Sequence, residues 1–172
     1  MEITTARLCL RPMDMSRLNS TYAYASDFEN TRFMMFLPLE TLEETARFIR
    51  EAEEQWRSPQ PDRLEYAILK DGIHIGGITL YFLEDRTQAE LGWVLSSAYQ
   101  RHGYVTEAAA ALIGHARQRW GITRVIACCD SENIGSRRVM EKLGMSFVHT
   151  GTRTNRSMPG VERTELTYEI FP

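Results

Sequence analysis

A strand, a single glycine and a long helix follow one another in the middle of the chain, and this order restricts the folds that the sequence can adopt. The segment "AELGWVL", Ala89–Leu95, has the length and composition of a strand. Beyond Gly103, apolar residues recur at three- and four-residue steps from Val105 to Trp120, which predicts a helix that stops at Gly121. A strand that leads into a helix in this way is typical of sheets with helices packed on them.

The remaining elements extend this pattern into a mixed sheet. Thr41 and Glu44 form a capping-box pattern, which predicts the start of a helix that ends before "SPQPDR". Asp71-Gly72 lies between two apolar runs and predicts a two-residue hairpin turn. The other predicted elements are a strand over Arg7–Arg11, helical structure over Met13–Ser26, a strand at "RVIACC", a short helix at "SRRVMEKL" and closing strands at "MSFVHT" and "RTELTYEI". The whole order predicts one α/β (α+β) domain over residues 1–172.

Gly92 interrupts the strand that is predicted over Ala89–Leu95. A glycine inside a strand indicates either a bulge or a close approach of another backbone.

Composition and charge argue against several classes of function. The 172 residues carry a net charge of −3 with a pI near 5.8, which argues against a protein that binds nucleic acid. Apolar runs are too short for a membrane span and the N-terminus lacks a signal-peptide pattern, so we expect a cytoplasmic protein. The spacing of Cys9, Cys128, Cys129 and the scattered histidines is not that of a metal site, and no metal is predicted.

The turn at Gly103 has the features of an anion-binding site. Free N–H groups at a helix N-terminus converge on an anion, and the helix dipole adds to the attraction. Gly103 permits a close approach or a positive φ, Thr106 can add a hydroxyl, and Arg101 can add a guanidinium. Glu107 would repel a phosphate, so we expect it to point away. A single glycine between strand and helix is also a common structural turn, and the sequence has neither a Walker-type loop nor a dinucleotide fingerprint.

Two motifs at matching separation resemble those of the GNAT superfamily of acetyl-CoA-dependent N-acyltransferases. The cofactor loop of that family reads Gln/Arg-x-x-Gly-x-Gly/Ala, and Gln100–Val105 fits every place but the last. The downstream pattern N-x-x-S-x-x-v-x-E-K-L-G is matched by Asn133, Ser136 and Glu141–Gly144. "TARLCLRPM" and "AELGWVL" are similar to the branch that includes the Rim-type ribosomal-protein N-terminal acetyltransferases. The resemblance implies a mixed, mostly antiparallel sheet with helices on both faces and a splayed strand pair that forms the acetyl-CoA cleft.

The resemblance also implies the ligands and the residues that bind them. Acetyl-CoA is the expected acyl donor, and an amine acceptor attacks it directly in a ternary complex. The residues expected to bind acetyl-CoA are Val94, Leu95, Gln100, Arg101, His102, Gly103, Tyr104, Val105, Thr106, Asn133 and Arg137, with Arg138 as the alternative to Arg137. Two positions depart from the family. Val105 replaces a small residue and must tuck its branches into the core, and Met140 replaces a tyrosine that protonates the departing thiolate in many members.

Glu90 and Ser136 are the predicted catalytic residues. An amine must be neutral to attack a thioester, and a protein α-amine with a pKa of about 7.7–8.0 is roughly one-third neutral at cytoplasmic pH, against about one-thousandth for lysine. Glu90 lies where some family members have a glutamate base, which could act through a water; the alternative is a solvated strand glutamate or an ion-pair partner. Ser136, one turn before Met140, could stabilise the thiolate, or it could belong to the helix cap.

Three functions remain open at this point. The first is an N-acetyltransferase that acts on a protein N-terminus or a small-molecule amine. The second is a non-catalytic acyl-CoA-binding or regulatory domain, which Met140 keeps open. The third is an aminoglycoside-type antibiotic acetyltransferase, against which Arg153, Arg156 and Arg163 argue if their loop lines the acceptor side. Neither nucleic acid nor membrane is expected as a partner, and a homodimer is left open.

Overall fold

A computed structural model describes residues 1–83 and 85–172. Its strands are β1 (Ile3–Thr4), β2 (Cys9–Pro12), β3 (Arg63–Lys70), β4 (Ile73–Phe82), β5 (Gln88–Leu95), β6 (Arg124–Asp130), β7 (Ser146–Thr154) and β8 (Glu162–Ile170). Its helices are α1 (Leu18–Ala25), α2 (Phe28–Thr31), α3 (Leu42–Arg57), α4 (Tyr104–Trp120) and α5 (Ile134–Lys142). The predicted mixed α/β fold is confirmed. Within these described ranges, no helix is long and apolar enough to cross a membrane.

The strands of the described residues form one sheet in the order β1-β2-β3-β4-β5-β6-β8-β7. Neighbouring strands run antiparallel, except that β5 and β6 run parallel. A parallel pair needs a crossover connection, and α4 supplies it because it joins β5 to β6. The helix that follows Gly103 is therefore the element that makes this one junction of the sheet parallel.

Apolar clusters cover both faces of the sheet. Successive side chains of a strand point to opposite faces, so β3 contributes to both clusters. Tyr66 packs in the cluster that contains Leu112 of α4, whereas Ala67 packs in the cluster that contains Ile49 of α3. Helices consequently lie on both faces, as the family resemblance implies.

Local sequence signals set the ends of two elements. Asp71 and Gly72 have φ values of 50° and 80°, which are those of a type I′ hairpin turn, and they join β3 to β4 as predicted. The hydroxyl of Thr41 accepts a hydrogen bond from the Glu44 N–H at 3.0 Å, so the predicted cap of α3 is present. The Glu44 carboxylate accepts from the Glu40 N–H at 2.9 Å, so the return bond of the capping box is shifted by one residue.

β5 and β6 diverge after a short paired stretch. The paired residues are Gln88–Arg124, Ala89–Val125 and Glu90–Ile126. β5 continues to Leu95, and β6 continues to Asp130. Beyond Glu90 the facing edges of the two strands border a gap, which is the splayed strand pair that the resemblance implies.

The gap does not come from a bulge at Gly92. β4 and β5 keep one register from the pair Gly76–Leu95 to the pair Phe82–Ala89, so the predicted bulge is wrong. A Cβ at Gly92 would meet the Tyr81 ring at 3.4 Å, which is a side-chain contact and not the alternative, a close backbone approach. β5 thus stays fully paired to β4, and its pairing with β6 is what ends.

The close backbone approach lies at Gly76 in β4. An ideal Cβ at this position would stand 2.3 Å from the Val94 carbonyl oxygen and 2.9 Å from Leu95 Cα. Both are backbone atoms of the β5 segment that borders the gap, and they cannot move away without disturbing the β4–β5 ladder. Gly76 therefore lets β4 hold β5 at the place where β5 has separated from β6.

We expect Gly76→Ala to lower the free energy of unfolding by about 1–3 kcal/mol, which is the usual cost of overpacking. Gly114→Ala is the matched control, because a Cβ there would meet nothing within 4 Å and the residue lies inside α4. That variant should gain about 0.5–1 kcal/mol, since alanine is the better helix former. Chemical denaturation of the three proteins measures the difference, and equal stability of the two variants would contradict the close approach.

Candidate active site

A cavity of about 330 Å³ opens at the gap between β5 and β6. Its walls are the end of β5, the Gly103 turn with the first turn of α4, and α5. Residues of the predicted set that line it are Val94, Leu95, Gln100, Arg101, Gly103, Tyr104, Val105, Thr106, Asn133 and Ser136. The lining also includes Asn30, Met34, Trp93, Gly135, Arg138, Val139 and Lys142. The two sequence motifs therefore meet at one cavity, although about 30 residues separate them in the chain.

The turn before α4 presents the N-terminus of that helix to the cavity. Gly103 is the N-cap of α4 with a φ of 80°, a left-handed conformation that glycine adopts without strain. Arg101 also has a positive φ, of 67°. The Gln100 side-chain amide holds the turn, because it donates to Leu95 O at 3.1 Å and to Asn30 Oδ1 at 2.7 Å. Since the first N–H groups of a helix lack intrahelical partners, they are available to an anion here.

Arg7 supports this turn from outside the cavity, although the sequence predicted it to lie in the first strand. Its Nε donates to the Glu107 carboxylate at 2.7 Å, its Nη1 donates to His102 O at 3.1 Å, and its guanidinium lies 4.8 Å from the centre of the Tyr104 ring. Glu107 also accepts from the Thr5 hydroxyl at 2.6 Å. Burial alone would raise the pKa of Glu107, but the bonds from Thr5 and Arg7 lower it below its ordinary value. Glu107 therefore points away from the anion site, as predicted.

Two residues that were predicted to bind acetyl-CoA lie outside the cavity lining. The His102 ring hydrogen-bonds to the backbone of its own turn at 2.7 Å. Arg137 pairs with Glu141 at 3.5 Å, whereas Arg138 and Lys142 line the cavity. Arg138 and Lys142 lie one helical turn apart, so the i,i+4 spacing of these two cations is the sequence signal that could have identified them.

Val105, which replaces a small residue of the family motif, lies where its side chain can pack into the core. It is buried in the cluster between the sheet and α4, and it also contributes to the cavity wall. The branched side chain packs into the core, and the backbone at the helix start remains beside the cavity.

The first turn of α5 contains the predicted amide and hydroxyl. Asn133 Oδ1 accepts from the Ser136 N–H at 3.1 Å, so Asn133 is the N-cap of α5. The indole N–H of Trp93 donates to Ser136 Oγ at 3.3 Å. Met140 is fully buried one turn further along the helix. The capping role that was an alternative for Ser136 therefore belongs to the side chain of Asn133, and the Ser136 hydroxyl faces Trp93 in the cavity wall.

Glu90 lies at the last residue pair before the gap, and strand alternation puts its side chain on the opposite face from that of Trp93. Burial and the nearby negative charge of Glu165 raise the pKa of Glu90 above its ordinary value, while Arg153 opposes that shift. Within the described residues, no hydrogen bond contributes to the shift. Glu90 does not line the cavity, but it stands at the start of the gap, and the described residues show no cation bonded to it. A half-buried carboxylate of this kind has the environment expected of a group that exchanges protons.

The three arginines of the β7–β8 hairpin are each paired with a carboxylate. The pairs are Arg153–Glu165 at 3.4 Å, Arg156–Glu44 at 2.6 Å and Arg163–Asp130 at 2.9 Å. The hairpin also bonds to the segment after α2, because Arg153 Nη2 donates to Phe33 O at 3.1 Å and the Arg156 N–H donates to Met34 O at 3.2 Å. These carboxylates offset the positive charge that was expected to disfavour a polycationic acceptor.

Comparison with known proteins agrees with this geometry. Residues 7–146 match the family model described as an acetyltransferase (GNAT) domain. The chain belongs to the GNAT acetyltransferase family. It is 31% identical over 147 residues to the uncharacterised N-acetyltransferase YnaD of Bacillus subtilis (strain 168), across 84% of this chain and 82% of that protein.

Solved structures of GNAT enzymes share the fold. An acetyltransferase of the GNAT family from Bacillus anthracis has a TM-score of 0.84 at 25% identity, over 99% of this chain and 98% of that chain. RimL, a ribosomal L7/L12 alpha-N-protein acetyltransferase in complex with coenzyme A, has a TM-score of 0.86 at 17% identity, over 99% and 98%. The predicted GNAT family and fold are confirmed, and this protein is a member of a family of N-acetyltransferases that use acetyl-CoA.

We expect Gly103→Glu to abolish acetyl-CoA binding while the fold stays intact, because the new side chain carries a negative charge beside the α4 N-terminus. Gly160→Glu is the matched control: Gly160 has a φ of 78° and open space around it, so the substitution meets the same left-handed strain at a residue outside the cavity lining. Titration calorimetry with acetyl-CoA measures both variants. Unchanged binding of acetyl-CoA by Gly103→Glu would show that this turn is not the anion site.

Proposed function

We propose that this GNAT enzyme transfers the acetyl group of acetyl-CoA to a primary amine by direct attack in a ternary complex. The acceptor is the α-amine of a protein N-terminus or of a small molecule. The observation that carries the proposal is the gap between β5 and β6, which has the α4 and α5 N-termini on one face and Glu90 at its edge on the other. A donor and an acceptor that approach from opposite faces meet in the gap, so no acetylated enzyme intermediate is required.

The donor site follows from the groups that line the cavity. The pyrophosphate binds to the backbone N–H groups of Gly103–Thr106, where the helix dipole favours an anion. Backbone groups of Val94–Leu95 border the gap, and they pair with the pantetheine arm. Arg138 and Lys142 take the phosphate-binding role that the sequence assigned to Arg137, because they line the cavity and Arg137 does not.

The acceptor must lose a proton before or during its attack. Glu90 removes it, directly or through one water, because a carboxylate with a raised pKa is a better base near neutral pH than an ordinary glutamate. The amine nitrogen then bonds to the thioester carbon, and the carbon–sulfur bond breaks with its electron pair on sulfur. The Ser136 hydroxyl stabilises that thiolate by a hydrogen bond, since Met140 has no proton to donate.

An α-amine fits this site better than a lysine side chain. A glutamate base, even with a raised pKa, is far weaker than a lysine amine, whose neutral fraction near pH 7.4 is about one-thousandth. An α-amine is roughly one-third neutral at the same pH, so a large fraction of the acceptor can attack without losing a proton to a base. RimL, which shares this fold, acts on the α-amine of a ribosomal protein.

Acetyl transfer to a panel of acceptors tests the proposal. We expect the highest kcat/KM with peptides or small molecules that have a free α-amine, and at least about a tenfold loss when that amine is blocked and only a lysine remains. Polyamines and aminoglycosides complete the panel, with release of the CoA thiol and the mass of the acceptor as readouts. A preference for aminoglycosides would favour the antibiotic-modifying function. Acetyl-CoA binding without acetylation of any acceptor would favour the non-catalytic domain.

The role of Glu90 predicts a particular dependence on pH. In the wild type, log(kcat/KM) should fall as the pH falls through the raised pKa of Glu90, because the protonated carboxyl cannot accept the proton of the acceptor. Glu90→Gln should lower kcat/KM by about 10²–10⁴ near neutral pH, and by less at high pH, where the amine is already neutral.

Glu162→Gln is the control for this variant, because Glu162 is an exposed glutamate in β8 and the substitution should leave the profile unchanged. A loss for Glu90→Gln that is equal at every pH would mean that Glu90 positions the acceptor. Wild-type activity of Glu90→Gln would mean that Glu90 is a solvated strand residue with no part in the proton transfer.

A further inference from the structure

We propose that the indole N–H of Trp93 orients the Ser136 hydroxyl so that its proton points at the departing sulfur of CoA. Trp93 is thereby a positioning residue for the leaving-group step. The inference rests on the proposed function of this cavity, and it goes beyond it by assigning a role to a residue that neither sequence motif includes. It starts from one contact: Trp93 Nε1 lies 3.3 Å from Ser136 Oγ, and both residues line the cavity.

The chemistry of the two groups fixes the direction of this hydrogen bond. An indole nitrogen is a donor only, so Trp93 must donate and Ser136 must accept. A hydroxyl has two acceptor lone pairs and one proton. The bond from Trp93 occupies a lone pair and leaves the proton of Ser136 free to be donated elsewhere.

The local structure of α5 keeps that proton from the usual acceptors. A serine in the first turn of a helix commonly serves as its cap, but here Asn133 Oδ1 accepts the Ser136 N–H at 3.1 Å and fills that role. The Ser136 side chain also lies at the N-terminus of α5, where backbone N–H groups and not carbonyls are exposed. A negatively charged sulfur in the cavity is therefore a suitable acceptor for the Ser136 proton.

Packing on two apolar clusters and the pairing of β5 hold the indole ring of Trp93 in place. Trp93 packs against both the cluster between the sheet and α4 and the cluster that contains Met140 and Tyr168. Its neighbours in β5 are paired to β4 in a continuous register. An indole ring that is fixed by β5 and donates to α5 bridges the two sides of the gap, so the position of the hydroxyl is tied to the strand that borders the gap.

In the leaving-group step, the carbon–sulfur bond of the tetrahedral intermediate breaks and its electron pair remains on sulfur. The Ser136 O–H donates a hydrogen bond to this thiolate and keeps its proton. Donation from Trp93 polarises the hydroxyl and makes it a stronger donor, because hydrogen bonds in a chain strengthen one another. The proton taken from the amine leaves by way of Glu90, and solvent later protonates the thiolate.

A double-mutant cycle on the 172-residue enzyme tests the inference. We expect Ser136→Ala to lower kcat by about 10- to 100-fold and Trp93→Phe by about 3- to 10-fold, with the KM for acetyl-CoA changed by less than about twofold. The double variant should be no slower than Ser136→Ala, because Trp93 acts through the hydroxyl. Trp120→Phe is the matched control, since Trp120 packs edge-on against Phe82 at the far end of α4.

Two further measurements separate the hydrogen bond from simple packing and from turnover. Replacing Trp93 by benzothienylalanine keeps the shape of the ring but removes the N–H, and it should lower kcat as much as Trp93→Phe does. The thiol pKa of bound CoA, followed by the ultraviolet absorbance of the thiolate, should rise in Trp93→Phe and in Ser136→Ala. This measurement needs no acceptor, so it remains informative even if the proposed acceptors are wrong.

Several outcomes would overturn the inference. Losses from Trp93→Phe and Ser136→Ala that multiply in the double variant would show that Trp93 acts by packing. Wild-type kcat with benzothienylalanine, or an unchanged thiol pKa of CoA bound to Trp93→Phe, would show that the N–H has no role. An enzyme that acetylates no acceptor would contradict the proposed function, while the thiol pKa would still decide for or against Trp93.

Discussion

The pairing of β5 with β6 is parallel and ends after Glu90, and the cavity depends on both properties. Parallel pairing requires the crossover through α4. This helix starts beside the end of β5 and returns the chain to the start of β6. The end of the pairing separates the two strands and lets α5, which follows β6, approach from the other side. Had the pairing continued to Leu95, the backbone edges that now border the gap would be bonded to each other.

Strand alternation divides the chemistry of the gap between the two faces of the sheet. Glu90 and Trp93 lie three residues apart in β5, so their side chains point to opposite faces. In the mechanism that we propose, the carboxylate therefore meets the acceptor on one side while the indole and the Ser136 hydroxyl meet the leaving group on the other. Because β4 holds β5 in one register through Gly76, the relative height of these groups is set by backbone hydrogen bonds.

Elements that depend on local interactions could be predicted from the sequence. The Asp71-Gly72 turn was predicted because both residues tolerate positive φ, and the start of α4 because Gly103 does. Interactions between distant segments could not be predicted. The ion pair of Arg156 with Glu44 joins residues 112 apart, and the bond between Trp93 and Ser136 joins residues 43 apart.

The errors in the prediction have the same origin. Gly92 was interpreted as a bulge because a glycine in a strand indicates either a bulge or a close approach, and the sequence alone does not show which. The close backbone approach lies at Gly76 in the neighbouring strand. The choice between Arg137 and Arg138 also needs the fold, because only Arg138 lines the cavity and the face of α5 that meets the cavity is known only once the helix is packed. Arg7 was placed in a strand because it fits the alternation of the residues that follow it. In the structure, its backbone N–H and its side chain both donate to the Glu107 carboxylate.

The short parallel junction has a mechanical consequence. β1 to β5 form one leaf of the sheet and β6 to β8 form the other. Within the described residues, the backbone ladder between them consists of three residue pairs and a bond from the Thr123 N–H to Thr87 O at 2.8 Å. The β7–β8 hairpin adds a second connection between the two leaves, because Arg156 Nη1 donates to the Glu44 carboxylate at 2.6 Å and Arg153 Nη2 donates to Phe33 O at 3.1 Å. Arg124 donates to Gln88 at 2.8 Å and to Glu169 at 2.7 Å at the ladder. A change in the width of the gap therefore strains bonds at both connections, and residues outside the cavity lining help to set that width.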